Sequence, residues 1–293
     1  MSFWTDLLGV PFEMRCVDVK GVPTRSLRAG SGEPIIFLHG ISGHLEAFVR
    51  TLPGHVDAGF EVHLIDMLGH GFTGKPDIDY TPDNLARHVL DYMDVHGMPS
   101  ANLAGISLGG WVVAWMLVHH ADRVRRATMV LAAGNPAMGT PEVIELVVGS
   151  TTAAVVSDDK AYTRQRLENV IHRRDLVSDE LVDVRYAIYH QPLFRERLPR
   201  LLGSARPDMY ERYMLSKQAL RAVDKEVLLA WSEEDVYSPV TGAQYYVENL
   251  SRNKLVVFKD AGHWPPYERA EDFARINTAF YRGGLAAIEA GII

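Results

Sequence analysis

The chain has 293 residues, of which 47% are hydrophobic and 23% charged, and its formal net charge is -7. This length allows one main domain with an insertion, and the acidic balance excludes the basic surface of a nucleic-acid-binding protein. The single cysteine, Cys16, the lack of a signal-peptide pattern and the absence of about 18 consecutive apolar residues predict a cytoplasmic protein without membrane contact.

Strands and helices alternate along most of the chain. A strand pair around residues 16–27 precedes strands predicted near 34–39, 61–66, 101–106, 127–132, 226–231 and 254–259. Helices are predicted near 45–57, 82–96, 108–120, 241–249 and 269–282. This alternation indicates an α/β fold with a mostly parallel central sheet flanked by helices. It stops between 135 and 220, where helix formers dominate, so we predict a core domain of residues 1–134 and 221–293 with an inserted helical lid of residues 135–220.

The loop after the first parallel strand, residues 39–43, is a candidate binding element. A loop in this position can direct a backbone N–H group at a negatively charged oxygen, and we predict this role for Ile41. Gly40 would let the backbone turn toward the site, and His39 is expected to brace the loop. Ser42 faces the pocket or serves the turn, and the sequence leaves both roles open.

Residues 69–75, Gly-His-Gly-Phe-Thr-Gly-Lys, match a dinucleotide-binding fingerprint and most of a phosphate-binding P-loop. Both motifs require a helix to begin there, and the P-loop also requires Ser or Thr after its lysine. Pro76 follows Lys75 instead and indicates a turn or extended chain. The 12 histidines include no His-Glu-x-x-His pair. The sequence therefore indicates no nucleotide, cofactor or metal.

A serine stands between two glycines at a predicted strand-to-helix junction, in the stretch Gly-Ile-Ser-Leu-Gly-Gly of residues 105–110. This pattern is typical of a nucleophile elbow, a strained turn that exposes the serine hydroxyl. We predict that Ser107 is a nucleophile. The N–H group of Leu108 would supply the second donor of an oxyanion hole, opposite that of Ile41.

A serine nucleophile needs a base, and the base needs an acid that orients it. Asp235 lies in the loop after the strand predicted near 226–231, and His263 follows the strand predicted near 254–259. The carboxyl ends of strands in a parallel sheet are where ligand chemistry collects. These observations predict a triad of Ser107, Asp235 and His263, with Glu233 and Glu234 as competing acids.

One lid helix carries a cation on an apolar face. Residues 178–189 begin with an N-capping serine and early acids, which predicts a helix. Arg185 projects from the face formed by Leu181, Val184 and Ile188. Because a buried, unpaired guanidinium is costly, it must find an anion. Two roles stay open: a salt bridge with an acid of the lid or core, which periodicity alone slightly favours, or a clamp for a substrate carboxylate.

Over nearly its whole length the chain resembles the α/β-hydrolases. Among them it resembles the meta-cleavage-product hydrolases, which hydrolyse a carbon–carbon bond in vinylogous diketones formed by aromatic ring opening. The likeness is carried by the stretch 177–182, by the Arg185-Tyr186 pair that follows it, and by Gly262-His263-Trp264. It implies that Arg185 binds the dienoate carboxylate and that Trp264 lines the pocket.

The chain departs from that family at two places. Ile106 precedes the nucleophile where the family commonly has asparagine, and Ile41-Ser42-Gly43-His44 replaces what is often a longer glycine-rich loop. An asparagine can hydrogen-bond a polar dienoate, whereas an isoleucine can only pack against it. We group Ile106, Gly40 and Ser42 with Arg185 and Trp264 as predicted substrate-binding residues.

These observations predict a serine hydrolase of a small, carboxylate-bearing substrate, first of all one that cleaves a carbon–carbon bond in a vinylogous diketone. A carboxylesterase acting on small aryl or alkyl esters is the alternative, which the missing asparagine mildly supports. A ligand receptor with little turnover is a third reading, against which the triad and the oxyanion loop argue. The predicted partner is a small molecule, not a nucleic acid or a membrane, and homo-oligomer formation stays open.

Overall fold

A computed structural model describes residues 2–293 of the chain. Within these residues, the strands form a single nine-stranded sheet in the order β1-β2-β4-β3-β5-β6-β7-β8-β9. The strands are β1 (Phe12–Val19), β2 (Val22–Gly30), β3 (Glu33–Leu38), β4 (Phe60–Ile65), β5 (Ala101–Ile106), β6 (Val124–Val130), β7 (Val227–Ser232), β8 (Asn253–Phe258) and β9 (Gly291–Ile292). All pairs from β4 and β3 through to β9 are parallel, which confirms the predicted mostly parallel sheet.

The α-helices of the described chain fall into two groups. Those that flank the sheet are α1 (Leu52–Asp57), α2 (Pro82–Val95), α3 (Leu108–His119), α10 (Val240–Val247), α11 (Pro265–Glu268) and α12 (Ala270–Gly283). Those between β6 and β7, here called the helical insertion, are α4 (Pro141–Val156), α5 (Lys160–Val170), α6 (Asp179–Tyr189), α7 (Pro192–Leu201), α8 (Pro207–Tyr213) and α9 (Lys217–Arg221). No strand occurs in the insertion, all of which lies within the described residues, and α4 packs against α5, α6 and α7.

The antiparallel end of the sheet begins with a tight hairpin. Val19 pairs with Val22, and the two residues between them, Lys20 and Gly21, both have positive φ angles of 49° and 89°. Two left-handed residues in a two-residue loop match the twist of the strands they join. The hairpin therefore adds β1 and β2 to the edge of the parallel strands through antiparallel pairing of β2 with β4.

The prediction of a single helix near 45–57 is wrong. The structure has a 3-10 turn at Leu45–Phe48 and a separate short helix, α1, that begins at Leu52. Pro53 lies in the first turn of α1, where its missing N–H costs nothing, whereas inside a continuous helix it would remove a hydrogen bond. The structure also adds β9, a two-residue strand that the sequence analysis did not predict.

Among residues 2–293 no helix is both long and apolar enough to cross a membrane. The cytoplasmic location stays a prediction. In the parallel sheet the loops after β3, β5, β7 and β8 all leave from the carboxyl edge, so the candidate residues of four distant segments approach one another there.

Candidate active site

Ser107 occupies a strained turn between β5 and α3. Its backbone angles are φ 55° and ψ -115°, a conformation that L-residues rarely adopt. The turn is fixed by two backbone hydrogen bonds, from Ser107 N–H to the carbonyl of Val130 at 2.9 Å and from Ala133 N–H to the Ser107 carbonyl at 3.0 Å. The hydroxyl is thereby held at the carboxyl edge of the sheet, as in a nucleophile elbow.

The glycines around Ser107 are required by close backbone contacts. A Cβ atom on Gly105 would lie 2.3 Å from the backbone of Gly109, and one on Gly109 would lie 2.1 Å from the carbonyl oxygen of Leu38. Neither neighbour is a flexible side chain, so no small adjustment could relieve the overlap. The strand and the helix can approach this closely only because both residues lack a side chain.

His263 and Asp235 form a hydrogen-bonded pair at the same edge. The Nδ1 atom of His263 lies 2.9 Å from Oδ2 of Asp235, and the Asp235 carboxylate also accepts from the backbone N–H groups of Tyr237 at 3.2 Å and Ser238 at 2.8 Å. With Nδ1–H donating to the carboxylate, Nε2 of His263 is the atom left to take a proton. An acid fixed by two backbone donors orients the imidazole strongly.

The competing acids have other positions. Glu233 is exposed, and the Glu234 carboxylate accepts a hydrogen bond from the backbone N–H of Ala261 at 3.2 Å. Within the described chain the hydroxyl of Ser107 makes no hydrogen bond shorter than 3.5 Å, although Ser107 and His263 line the same cavity. Catalytic hydrogen bonds are often loose in ligand-free sites and shorten when substrate binds. The geometry therefore favours Asp235 as the partner of His263.

The loop that carries His263 is held by a buried carboxylate and by the insertion. Oε1 of Glu268 accepts hydrogen bonds from the N–H groups of Gly262 at 2.9 Å and Trp264 at 3.3 Å. The N–H of His263 donates to the carbonyl of Val170, at the end of α5, at 2.7 Å. Burial raises the pKa of Glu268, and the backbone donors oppose that shift. The position of the base is thus coupled to the helical insertion.

Two backbone N–H groups point to an oxyanion hole. Leu108 is the first residue of α3, so its N–H has no partner within the helix. Neither this N–H nor that of Ile41 is used in a hydrogen bond among the described residues, and both residues line a cavity with Ser107. His39 braces the loop as expected, because Nδ1 bonds the carbonyl of Gly40 at 2.8 Å and Nε2 accepts from Met67 N–H at 3.0 Å.

Two cavities meet at Ser107. The first, here called the apolar cavity, has an empty volume of about 420 Å³ including its mouth. It has no charged side chain in its lining, which includes Trp111, Met138, Val143, Ile144, Val147 and Tyr210. The second, here called the polar cavity, has about 370 Å³ and is lined by Gly40, Arg166, Arg185, Tyr237, His263 and Trp264 among others. A molecule that spans Ser107 would therefore place an apolar end in one cavity and a polar end in the other.

Arg185 is fully buried on α6 and has only neutral partners. Its Nε lies 3.1 Å from Nε2 of His44, its Nη1 donates to the hydroxyl of Tyr189 at 3.1 Å, and its Nη2 is buried without any hydrogen bond. The guanidinium carbon lies 5.0 Å from the centre of the Trp264 ring. Among the described residues no carboxylate lies within 4.0 Å of it, so the salt bridge that periodicity favoured is absent. Burial lowers the pKa of Arg185.

A chain of hydrogen-bonded polar and charged side chains lies behind Arg185. Nδ1 of His44 bonds Oε2 of Glu46 at 2.8 Å, and Glu46 pairs with Arg25, which also reaches Asp66. Burial first, and then the charge of Arg185, lower the pKa of His44 to about 4. His44 is consequently neutral at pH 7, with Nδ1–H donating to Glu46 and Nε2 accepting from Arg185. This arrangement fixes the guanidinium without neutralising its charge locally.

The sequence analysis missed a second buried cation, Arg166, on the lining of the polar cavity. Arg166 lies on the buried face of α5 with Thr163, Leu167 and Val170. The spacing i, i+3, i+4 and i+7 is the same helical signal that singled out Arg185, so the pattern could have revealed it. Tyr237, in the loop between Asp235 and α10, also lines the polar cavity, and the sequence analysis assigned it no role.

Some of the remaining predicted binding residues line the cavities and others do not. Gly40 and Trp264 line the polar cavity. Ser42 is buried with its hydroxyl 3.2 Å from that of Tyr189 on α6, and its φ angle is 55°. Ile106 is fully buried at the end of β5 and lines neither cavity. A contact between substrate and Ile106 therefore has no support in the geometry.

The glycine-rich stretch 69–75 forms a loop in which no helix begins, and the next helix is α2 at Pro82. The ammonium group of Lys75 is buried and donates to the carbonyls of Gly71 and Thr73, both at 2.9 Å. Burial lowers its pKa to about 8. In the described part of the chain, no group of three or more His, Cys, Asp or Glu side chains is placed to hold a metal ion.

Comparison with known proteins assigns the class. Residues 33–270 match the family model described as the alpha/beta hydrolase fold, so the chain belongs to the alpha/beta hydrolase fold family. The elbow at Ser107 and the Asp235–His263 pair occupy the loops that carry the reactive groups in that fold.

Within the family, three similar proteins are named as hydrolases of related compounds. The chain is 27% identical over 270 residues to 2-hydroxymuconate semialdehyde hydrolase from Pseudomonas sp. (strain CF600), covering 91% of this chain and 93% of that protein. It is 28% identical to 2-hydroxymuconate semialdehyde hydrolase from Pseudomonas putida, with 86% and 88% covered. The solved meta-cleavage product hydrolase from Pseudomonas fluorescens, complexed with acetates, superposes with a TM-score of 0.78 at 26% identity, covering 94% and 98%.

Proposed function

We propose that this protein is a serine hydrolase that cleaves a carbon–carbon bond in a vinylogous diketone acid produced by meta-cleavage of an aromatic ring. The observation that carries the proposal is the environment of Arg185. In the described chain this guanidinium is fully buried, has an unused Nη2 and has no carboxylate within 4.0 Å, and it shares a cavity with Ser107 and His263. Such a group is costly unless an anion joins it, and a substrate carboxylate is an anion of the right geometry.

The shape of the site supports the same substrate. Such a molecule has a carboxylate at one end, a ketone in the middle and a substituent beyond the ketone. With the carboxylate at Arg185 in the polar cavity, the ketone carbon would lie at Ser107. The substituent would then enter the apolar cavity, whose lining of Trp111, Met138 and Val143 suits a hydrocarbon group.

Each residue then has a defined role. His263, oriented by Asp235, assists the proton transfer that converts the dienol to its keto form and activates the nucleophile. The Ser107 oxygen bonds to the ketone carbon, and the N–H groups of Ile41 and Leu108 stabilise the negative oxygen that results. The carbon–carbon bond breaks with its electron pair leaving on the dienoate fragment, and water releases the acyl group from Ser107 as a carboxylic acid.

We further propose that the helical insertion acts as a lid. Its helices supply Arg166, Arg185 and most of the apolar cavity wall, so the cavities exist only when the insertion is in place. The carbonyl of Val170 also holds the backbone of His263. Closure of the insertion would therefore complete both the binding site and the position of the base. This division corresponds to the predicted core of residues 1–134 and 221–293 and the predicted lid of residues 135–220.

The experiment is a comparison of turnover by the purified protein on two substrate classes. One is the yellow ring-cleavage product 2-hydroxy-6-oxohexa-2,4-dienoate together with analogues bearing larger groups at C6, and the other is a panel of neutral aryl and alkyl esters. We expect loss of the yellow colour with kcat/KM at least a hundredfold above that for any ester. The variant Ser107→Ala is the matched control, because it keeps both cavities and removes the nucleophile.

The competing activity is that of a carboxylesterase, which the apolar Ile106 before the nucleophile favours. Ester turnover that exceeds cleavage of the ring-opened acids would contradict the proposal and establish that alternative. Tight binding of the acids by the wild type without turnover would instead indicate a receptor on this fold.

A further inference from the structure

Arg166 is a second buried cation in the polar cavity, and its partners are also neutral. Its Nε donates to the hydroxyl of Thr151 on α4 at 3.2 Å, and its Nη1 donates to the hydroxyl of Tyr237 at 3.1 Å. The side chain is only 4% exposed, and among the described residues no carboxylate lies within 4.0 Å of it. Arginine is almost never buried to this extent without an acid unless another anion is provided for.

The two guanidinium groups serve the same half of the site. Arg166 and Arg185 both line the polar cavity, whereas the apolar cavity has no charged side chain. The two positive charges repel each other, and the charge of Arg166 contributes to lowering the pKa of Arg185. Two like charges in one buried cavity are tolerated when a ligand brings two oxygen acceptors that carry negative charge or partial negative charge.

The position of Arg166 identifies which acceptor it would meet. Tyr237, its hydrogen-bond partner, packs edge-on against the ring of His263 with the ring centres 5.3 Å apart. Arg166 therefore lies beside the catalytic base through its contact with Tyr237, whereas Arg185 contacts Trp264 and His44 directly. The acid half of a 2-hydroxydienoate has only two oxygen-bearing groups, the carboxylate and the oxygen on C2.

We propose that Arg166 binds the C2 oxygen of the substrate, beside the carboxylate held by Arg185, and selects for 2-hydroxy acids. This inference rests on the proposed function. In this arrangement Arg166 supplies the polar contact that the residue before the nucleophile cannot provide, because Ile106 is apolar and lines neither cavity. Guanidinium is a pure donor, so it binds the oxygen as an acceptor and best in its anionic, enolate form.

The test measures binding in a protein that cannot turn over. In the Ser107→Ala background, the dissociation constants of two ligands are compared by calorimetry: 2-hydroxy-6-oxohexa-2,4-dienoate and 6-oxohexa-2,4-dienoate, which lacks only the C2 oxygen. We expect Arg166→Met to weaken the first ligand on the order of tenfold to a hundredfold, the effect of one charge-assisted hydrogen bond, and to leave the second within about twofold. Arg185→Met should weaken both.

Control variants separate recognition from a structural role. Tyr237→Phe removes a hydrogen bond of Arg166 but keeps its charge, so the preference for the 2-hydroxy ligand should persist. If Arg166→Met lowers the melting temperature, Arg166→Gln, which can still reach Thr151, repeats the comparison in a folded protein. Equal weakening of both ligands, no weakening of either, or no binding of either by the Ser107→Ala protein overturns the proposal. Failure of the proposed function shows elsewhere, as absent turnover of ring-cleavage products by the wild type.

Discussion

Replacement of Arg185 by glutamine separates a substrate clamp from a lid brace. The guanidinium is 1% exposed, has no carboxylate within 4.0 Å among the described residues, and keeps one buried nitrogen without a partner. A substrate carboxylate would complete a buried ion pair, and removing one partner of such a pair costs about 3–5 kcal/mol. At about 1.4 kcal/mol for each factor of ten, kcat/KM for a carboxylate-bearing diketone should fall by roughly 10² to 10⁴.

The same variant should behave differently in two other measurements. A methyl ester of the same diketone has no charge to lose, so its kcat/KM should change less than about tenfold. The melting temperature should stay level or rise, because glutamine removes a desolvated charge that has no carboxylate within 4.0 Å among residues 2–293. Arg185→Lys keeps the charge but lacks the planar fork, so its loss on the acid should be nearly as large.

The assay uses both substrates, both variants and thermal melting side by side. Equal losses on the acid and on its methyl ester, accompanied by a lower melting temperature, would refute the reasoning. That result would mean that Arg185 serves to tie α6 to the core through His44 at 3.1 Å, and to hold Tyr189 of the same helix, whose hydroxyl lies 3.2 Å from that of Ser42.

Three further predictions follow from the site and the core. Ser107→Ala should lose on the order of 10⁶ in kcat with an unchanged circular dichroism spectrum, and near-normal turnover would remove Ser107 as nucleophile. Asp235→Asn should slow turnover by about 10⁴ because the imidazole takes the wrong tautomer, whereas Glu233→Gln should be mild; the reverse ranking would place the acid elsewhere. Burial lowers the pKa of His55 to about 4 from an ordinary 6.5. The contribution of His55 to the unfolding free energy is therefore fully present above about pH 6.5. Below that pH the unfolded chain takes up a proton that the folded state does not, so this contribution is lost as the pH falls toward 4, with a slope of up to about 1.4 kcal/mol per pH unit. His55→Gln should reduce the pH dependence of the unfolding free energy by about one proton, and an unchanged slope in urea titrations between pH 7 and 5 would contradict this.

Most of the fold could be predicted because its elements have strong local signals. Strands β3, β7 and β8 contain short apolar runs, and α2 and α12 are amphipathic helices whose predicted ends lie within a residue or two of the observed ones. The errors occur where local signals conflict. Pro53 favours a new helix that begins at Leu52, although the apolar residues of the segment 45–57 are spaced as in one helix. The strand β9 has two residues and exists only because β8 offers it an edge.

The residues of the candidate triad could be predicted for a different reason. Ser107 lies in a turn whose steric demands are visible as glycines, since Cβ atoms at Gly105 and Gly109 would overlap the backbone. Asp235 and His263 each follow a recognisable strand, and parallel strands bring their carboxyl ends together. Chain order and spacing therefore carried this part of the prediction.

The lining of the polar cavity could not be predicted in the same way. Arg166 and Arg185 come from two insertion helices, Tyr237 from a core loop and Gly40 from the loop after β3. No local pattern states that these four segments converge, and a lone arginine on an apolar helix face fits a salt bridge as well as a ligand site. Only the tertiary structure shows that, within residues 2–293, neither arginine has a carboxylate within 4.0 Å.

The division of labour between the two parts of the chain has a physical consequence. The proposed nucleophile, base and oxyanion donors all lie on loops of the sheet, whose backbone contacts allow almost no variation around Ser107. Both arginines proposed to bind the substrate instead lie on α5 and α6 of the insertion. Under the proposals made above, recognition of the acid depends on the insertion and bond cleavage on the core. Substitutions on α5 and α6 should therefore change which acids are cleaved while the geometry of the elbow stays the same.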